Sequence, residues 1–437
     1  MQTAGVPDIA SHSTHGRQRI VAAVFLLLFV ASALVSAQRK DVTQGFDEVA
    51  HLSYVAHLQE SGALWPQIER MRLLDPASFR FGNEANYLNH PPFYYALLAT
   101  LGPRVADNPG SAFTHRLFNI VLGALGFAAL LAIVLAARLP PLQFYAYAVP
   151  LFCIPVLAPI AGAVNSDNAA FAGGALATLA AWQFHATRRP AWFGAMLTGF
   201  VIASWAKFTG FVLAGSLLGG LLLYLLWRRQ LRAIWLVPAA MAALLAFAPY
   251  AVYFAQYGSP TLDTLGLMAM LHDGARSMGW ADAPRLSFPA YVIHFLSEFV
   301  AGWMPALTQR SALNYAVLVF PVAAIACAIA GAAISARRLA RREETTLDVV
   351  VLAGMLSIAV TLAAHIVFSY RHHLATGWMM EAYPRYYLPL IAIIPLAALS
   401  LLSAVKPPQW RALLLAVLIA GPILFRILGA PLTLATG

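Results

Sequence analysis

Residues 20–37 read IVAAVFLLLFVASALVSA, eighteen consecutive positions without a charged side chain. At 1.5 Å per residue, a helix of that length covers roughly 27 Å, close to the thickness of a bilayer's hydrocarbon layer. Apolar runs of the same kind recur near 116–137, 142–163, 168–186, 191–206, 209–227, 233–256, 313–335, 347–369, 386–404 and 411–430. The expected fold is therefore an all-α polytopic membrane protein with about eleven transmembrane helices. The runs at 191–206 and 209–227 are short and fit either two spans or a half-penetrating hairpin.

Composition agrees with this reading. The 437 residues are 60% hydrophobic and only 11% charged, whereas soluble domains carry about 25% charged residues. A soluble globule, a disordered chain and a collagen-like fibre are all excluded on that ground. Cys153 and Cys327 both sit inside apolar runs, so no disulfide framework is written here. Arg17 and Arg19, the apolar stretch and Val35-Ser36-Ala37 also resemble a secretory signal with its cleavage site, although the stretch is long for one.

Charge sets the orientation. Arg17 and Arg19, Arg138, Arg188 and Arg189, Arg228, Arg229 and Arg232, Arg337, Arg338, Arg341 and Arg342, and Lys406 and Arg411 all fall on one side of the spans. Only Asp8, Glu343, Glu344 and Asp348 oppose them, so the whole formal excess of +10 lies on that side. The positive-inside rule makes it cytoplasmic, with the N-terminus inside and the C-terminus outside. The basic residues stand in short clusters between apolar runs, which argues for topology and against a nucleic-acid partner. The chain then divides into a cytoplasmic tail at 1–19, a single transmembrane domain at 20–430 and a short extracytoplasmic tail at 431–437. The first and fourth outer loops, 38–115 and 257–312, are long, and a shorter one at 369–385 is rich in Arg, His and aromatic residues. Loops of that length usually carry function, so chemistry is expected on the outer face.

Within the first loop, Asp47 and Glu48 stand side by side in Phe46-Asp47-Glu48-Val49-Ala50-His51. Asp47 and His51 are four residues apart and share a helix face. The plain alternative is that Asp47 caps the helix that follows. Asp47, His51 and His90 offer a metal-ligand set on paper, but sequence separation counts against it and no metal is expected. Tyr87-Leu88-Asn89-His90-Pro91-Pro92-Phe93-Tyr94-Tyr95 forms a rigid elbow with aromatics suited to the interface. Asp167, in Asn165-Ser166-Asp167-Asn168, is either the cap of a span or an acidic site residue. Lys207 and Arg385 are either anchors reaching for the interface or phosphate ligands.

The order of these motifs resembles that of the GT-C glycosyltransferase superfamily. An outer-loop Asp-Glu after the first span is followed by a Pro-Pro-aromatic elbow and an acidic turn between the third and fourth spans. Lys207-Phe208-Thr209 and Arg385-Tyr386-Tyr387-Leu388-Pro389 complete the series. Within the superfamily the chain looks most like bacterial relatives of protein O-mannosyltransferases and lipid A aminoarabinose transferases. The resemblance implies an inverting transfer of a sugar from a polyprenyl-phosphate carrier to a glycan, lipid or protein acceptor. The setting it implies is the outer face of a bacterial inner membrane. It makes 20–430 a catalytic domain with Asp47 as general base, supported by Glu48, and a modestly raised proton affinity at Asp47 would suit that task. Lys207, Arg385 and Asp167 would meet the donor, with His90 and Tyr386 beside them. The family's acidic position before the elbow is Asn89 here, and Glu84 is the nearest upstream substitute. The lipid-linked sugar is a substrate, and no cofactor is implied with certainty, although a divalent metal is compatible with the chemistry. A flippase for lipid-linked sugars and an outer-leaflet ligase or polymerase are the rival functions.

Overall fold

The structure, a computed structural model, describes residues 9–303 and 317–434. Sixteen α-helices carry nearly all of its regular structure among those residues. The N-terminal helix α1 (Ile9–Arg39) begins inside the stretch expected to be a tail. Between α1 and the next span lie α2 (Glu48–Ser61), a small hairpin of β1 (Arg72–Leu74) and β2 (Phe81–Ala85), and α3 (Phe93–Leu101). The strands pair antiparallel with Arg72 opposite Ala85 and Leu74 opposite Phe81, and an irregularity between those pairs shifts the register.

Apolar runs then give α4 (Ser111–Ala137), α5 (Pro141–Phe152), α6 (Leu157–Ala161), α7 (Asp167–Thr187), α8 (Pro190–Ala206), α9 (Phe208–Trp227) and α10 (Ala233–Tyr257). After them come α11 (Leu265–Ser277) and α12 (Phe288–Ala301), both within the second long loop. The chain closes with α13 (Val319–Arg341), α14 (Thr346–Thr376), α15 (Ile393–Ala404) and α16 (Pro408–Leu434). Seven of these are long and apolar enough to cross a membrane alone. An eighth span arises if the 3-10 turn Pro384–Leu390 and α15 count together, with a 65° bend between them.

Where an expected span is broken within its length, proline is the cause. The run at 142–163 breaks into α5 and α6 around Ile154-Pro155, because proline disfavours helical geometry in the residue before it. Pro384 and Pro389 likewise keep the start of the 386–404 run in a 3-10 turn. The first residues of the run expected at 313–335 and the end of the 257–312 loop lie outside the described residues. The helix there extends past the expected end, to Arg341.

Large apolar side chains such as Leu27, Leu125, Leu223, Leu244 and Ile427 face outward, as lipid-facing positions do. Small residues draw the helices together: a side chain on Gly173 would strike the backbone of Gly199 and Ala203, so α7 and α8 pack nearly backbone to backbone. A second core, built from Tyr54, Tyr94, Tyr95, Leu98, Val105, Val164 and Tyr253, fastens the first long loop to the ends of the spans. Ser53 on α2 receives the backbone N–H of Leu74 at 2.8 Å, which locks the hairpin against that helix. The chain runs through α7 from Asp167 to the Arg188 cap, and from Lys207 through α9 to Arg228. The acidic turn and Lys207 therefore stand at the end of the bundle opposite those arginines. Arg188 bonds Gln230 at 2.7 Å and Arg228 pairs with Glu344 at 2.9 Å, tying the basic loops to one another.

Candidate active site

The first loop reaches the site through an unusual backbone. Gly45, Phe46 and Asp47 all have positive φ, at 108°, 59° and 59°. Asp tolerates the left-handed region better than most residues, but Phe46 does not, and such strain concentrates at working positions. Asp47 occupies the cap position of α2 yet makes no side-chain cap bond. Its carboxylate turns instead toward a cavity, where Tyr87 donates to Oδ1 at 3.1 Å and Arg385 donates to Oδ2 at 2.5 Å. The capping alternative is thereby overturned.

That cavity, about 220 Å³, is lined by Asp47, His51, His90, Lys207, Arg385 and Tyr386, among others. Three segments distant in sequence thus supply one carboxylate and two cations to one hollow. Lys207 stands at the break between α8 and α9 in extended conformation. Its side chain is 7% exposed, with Nζ 2.8 Å from Asp167 Oδ1 and 3.7 Å from the centre of the Tyr386 ring. It points into the protein, so the interfacial-anchor alternative does not hold for it. Arg385 Nε lies 3.5 Å from Asp167 Oδ2. Asp167 is likewise no simple cap, since its carboxylate joins both cations.

Burial alone would push the Asp47 carboxyl up. The Arg385 charge and hydrogen bond, with Lys207 and the Tyr87 hydroxyl, outweigh it and hold the group below the usual carboxylate range. The raised proton affinity expected of a base is therefore not a property of Asp47 in this state. Burial and the two cations keep His51 and His90 neutral, well below the ordinary histidine value. His51 Nδ1 shares a hydrogen bond with the Tyr95 hydroxyl at 2.8 Å. The backbone carbonyl of His90 receives the hydroxyls of Tyr54 and Tyr253 at 3.1 and 2.8 Å, which fixes the proline elbow. Among the described residues, no three His, Cys, Asp or Glu side chains converge to hold a metal ion, the Asp47, His51 and His90 set included.

Two expectations need correction. Glu48 does not stand beside Asp47 in the cavity: it is 3% exposed and forms a bidentate ion pair with Arg116, at 2.8 and 2.6 Å. Its Oε1 also receives the Val164 backbone N–H at 2.9 Å, while Arg116 donates to the carbonyls of Ala37 and Lys40. Successive residues at the start of a helix point about 100° apart, and only one of the pair can face the cavity. Glu84 lies exposed on β2, away from the cavity lining, and so is no substitute for the missing acid. Asn89 itself donates to the Leu262 carbonyl at 2.6 Å, fastening the second long loop over the elbow.

One group at the cavity escaped the sequence reading. His372, near the end of α14, bonds Glu381 through Nδ1 at 2.9 Å and Asp263 through Nε2 at 3.1 Å. All three line the same cavity. Glu381 is the single acid in the 369–385 stretch, which was the available signal. Burial raises the Glu381 carboxyl despite His372, whereas Asp263 is lowered chiefly by its hydrogen bond to that imidazole.

No protein-family profile and no curated protein matches the chain. Among solved structures, ArnT from Cupriavidus metallidurans bound to undecaprenyl phosphate is similar at 14% identity and TM-score 0.37, with 84% of each chain covered. The apo state of the same protein is similar at 15% identity and TM-score 0.33, over 82% of this chain and 78% of that one.

Proposed function

We propose that this protein is an inverting glycosyltransferase. It moves a sugar from a polyprenyl-phosphate carrier to a glycan, lipid or protein acceptor, at the periplasmic face of a bacterial inner membrane. Residues 20–430 form its catalytic domain. One observation carries the reading: Asp47, Lys207 and Arg385, drawn from three distant segments, line a single cavity at the end of the bundle away from the basic loops. Asp47 takes the proton from the acceptor hydroxyl as the acceptor oxygen bonds to the anomeric carbon. The bond from that carbon to the carrier phosphate breaks on the opposite side, and the phosphate leaves with the electron pair. Lys207 and Arg385 neutralise the charge that develops on it. Tyr386 lines this cavity, where the charged groups gather, while the next residue, Tyr387, lines an almost wholly apolar one of about 330 Å³ between the spans. An amphiphile with a charged head and an isoprenoid tail suits that adjacency.

The test is direct. Purified protein in detergent is given radiolabelled polyprenyl-phosphate sugars with a panel of acceptors, and sugar released or transferred is counted. Turnover that disappears in Asp47→Asn supports the assignment. Vectorial movement of the intact lipid-linked sugar in proteoliposomes, without cleavage, would replace it with a flippase.

A further inference from the structure

Among the described residues, the cavity holds no cation free of a carboxylate. Arg385 Nη2 is bonded to Asp47, its Nε faces Asp167 Oδ2 at 3.5 Å, and Lys207 holds the other oxygen of Asp167. The 3.5 Å contact is too long for a good hydrogen bond, and Arg385 Nε and Asp167 Oδ2 are both buried without another partner. Asp47, Asp167, Lys207 and Arg385 form a neutral quartet. An arriving phosphate has to take its donors from one of the two carboxylates.

The two are not equally ready to yield. Asp167 is 3% exposed, so withdrawing a cation from it leaves a poorly compensated buried charge. Asp47 is 34% exposed, opens on the cavity and keeps the Tyr87 hydroxyl as a partner. We infer that the donor phosphate displaces Asp47 from Arg385, while Asp167 holds both cations in place, so that donor binding itself frees the Asp47 carboxylate for the acceptor. The inference rests on the function proposed above and adds an order to it: donor first, acceptor second. Removing Arg385 from Asp47 also removes the largest influence holding its proton affinity down, so the freed carboxylate is the stronger base. The Arg385–Asp47 bond keeps the base idle until there is something to transfer.

The experiment measures affinity for undecaprenyl phosphate in detergent micelles, with inorganic phosphate as a second probe. Competition predicts that Asp47→Asn binds the bare carrier about tenfold more tightly than wild type, since a charged hydrogen bond that competes for Arg385 is lost. Asp47→Ala, which also removes the accepting oxygens, should bind at least as tightly, so the result is read on two side chains. Glu381→Gln removes the same charge from the same cavity without touching Arg385 and should shift affinity less than threefold. Inorganic phosphate should tighten by the same factor as the lipid, at weaker absolute affinity. Unchanged or weaker binding in both Asp47 variants overturns the exchange. So does equal tightening in Glu381→Gln, which reports only a field across the cavity, or an effect confined to the lipid. A wild-type protein that binds no undecaprenyl phosphate defeats the proposed function instead.

Discussion

Arg385 donates to Asp47 at 2.5 Å across 338 residues of sequence. The bond joins the loop after the first span to the 3-10 turn Pro384–Leu390, and both residues line a cavity that Lys207 also lines. Asp47 thereby has two properties that pull against each other. In the proposed reaction it accepts a proton, yet it is held by a cation that discourages it from doing so.

Replacing Asp47 by Asn keeps shape and removes proton acceptance. A positioned general base contributes about 10²–10⁴-fold to rate, so Asp47→Asn should lower turnover by at least about 10²-fold. Its elution on size exclusion and its melting temperature should stay near wild type, because the side chain makes no cap bond to α2. Full transfer activity in the purified variant would remove the base.

The acid limb of the pH profile follows from the same contact. With no donor bound, Arg385 and Lys207 hold the Asp47 carboxyl below the usual range. A base of depressed proton affinity is already ionised at neutral pH and stays so as pH falls, losing activity only below its own value. Turnover per donor encounter, kcat/KM, should therefore show no acid limb from this group between about pH 7 and 5, a carboxylate ordinarily titrating near 4. Arg385→Gln removes the largest opposing influence, leaves burial to act, and should move the limb upward into that window. A limb that stays put assigns it to another group.

How much of this could be read in advance depends on distance along the chain. Apolar runs are local, so helices occupy every expected run in the described residues, and the breaks within them sit at prolines such as Pro155 and Pro384 that were visible in the sequence. The direction of a side chain is not local. Asp47 and Glu48 look interchangeable as letters, yet one faces the cavity and the other a buried arginine. Arg116 carried no signal, since a basic residue at the start of an apolar run reads as a boundary. The Asp263, His372 and Glu381 cluster joins two separate stretches, and only the path of the second long loop over the elbow brings them together.

Glu48 and Arg116 give a prediction about stability. Their side chains are 3% and 7% exposed. Removing one partner of a buried pair leaves the other charge without compensation, at a cost of about 3–5 kcal/mol. Arg116→Ala should lower the melting temperature in detergent sharply, or prevent recovery of folded protein. Glu48→Gln retains the accepting carbonyl oxygen and should be milder, with transfer per folded molecule within about threefold of wild type, a change of ~0.6 kcal/mol in the barrier. Loss of turnover at unchanged stability in Glu48→Gln would return that residue to the chemistry.

Lys207 separates binding from scaffolding. Its ammonium is bonded to Asp167 and lies over the Tyr386 ring, so a purely structural role is a serious rival to a role in holding phosphate. Lys207→Met keeps the length and apolar stem and removes the charge. A structural role predicts a lower melting temperature, fewer folded molecules and an unchanged KM among those that remain. A phosphate ligand predicts an apparent KM for the lipid-linked donor raised at least about tenfold, ~1.4 kcal/mol of lost interaction. The KM for the acceptor should stay put, because only the donor carries the charge that Lys207 meets. Arg385 still flanks Asp167 in the variant, so the carboxylate is not left alone and the fold should survive for the measurement. Equal rises in both KM values would point to a distorted cavity and remove Lys207 from the phosphate site.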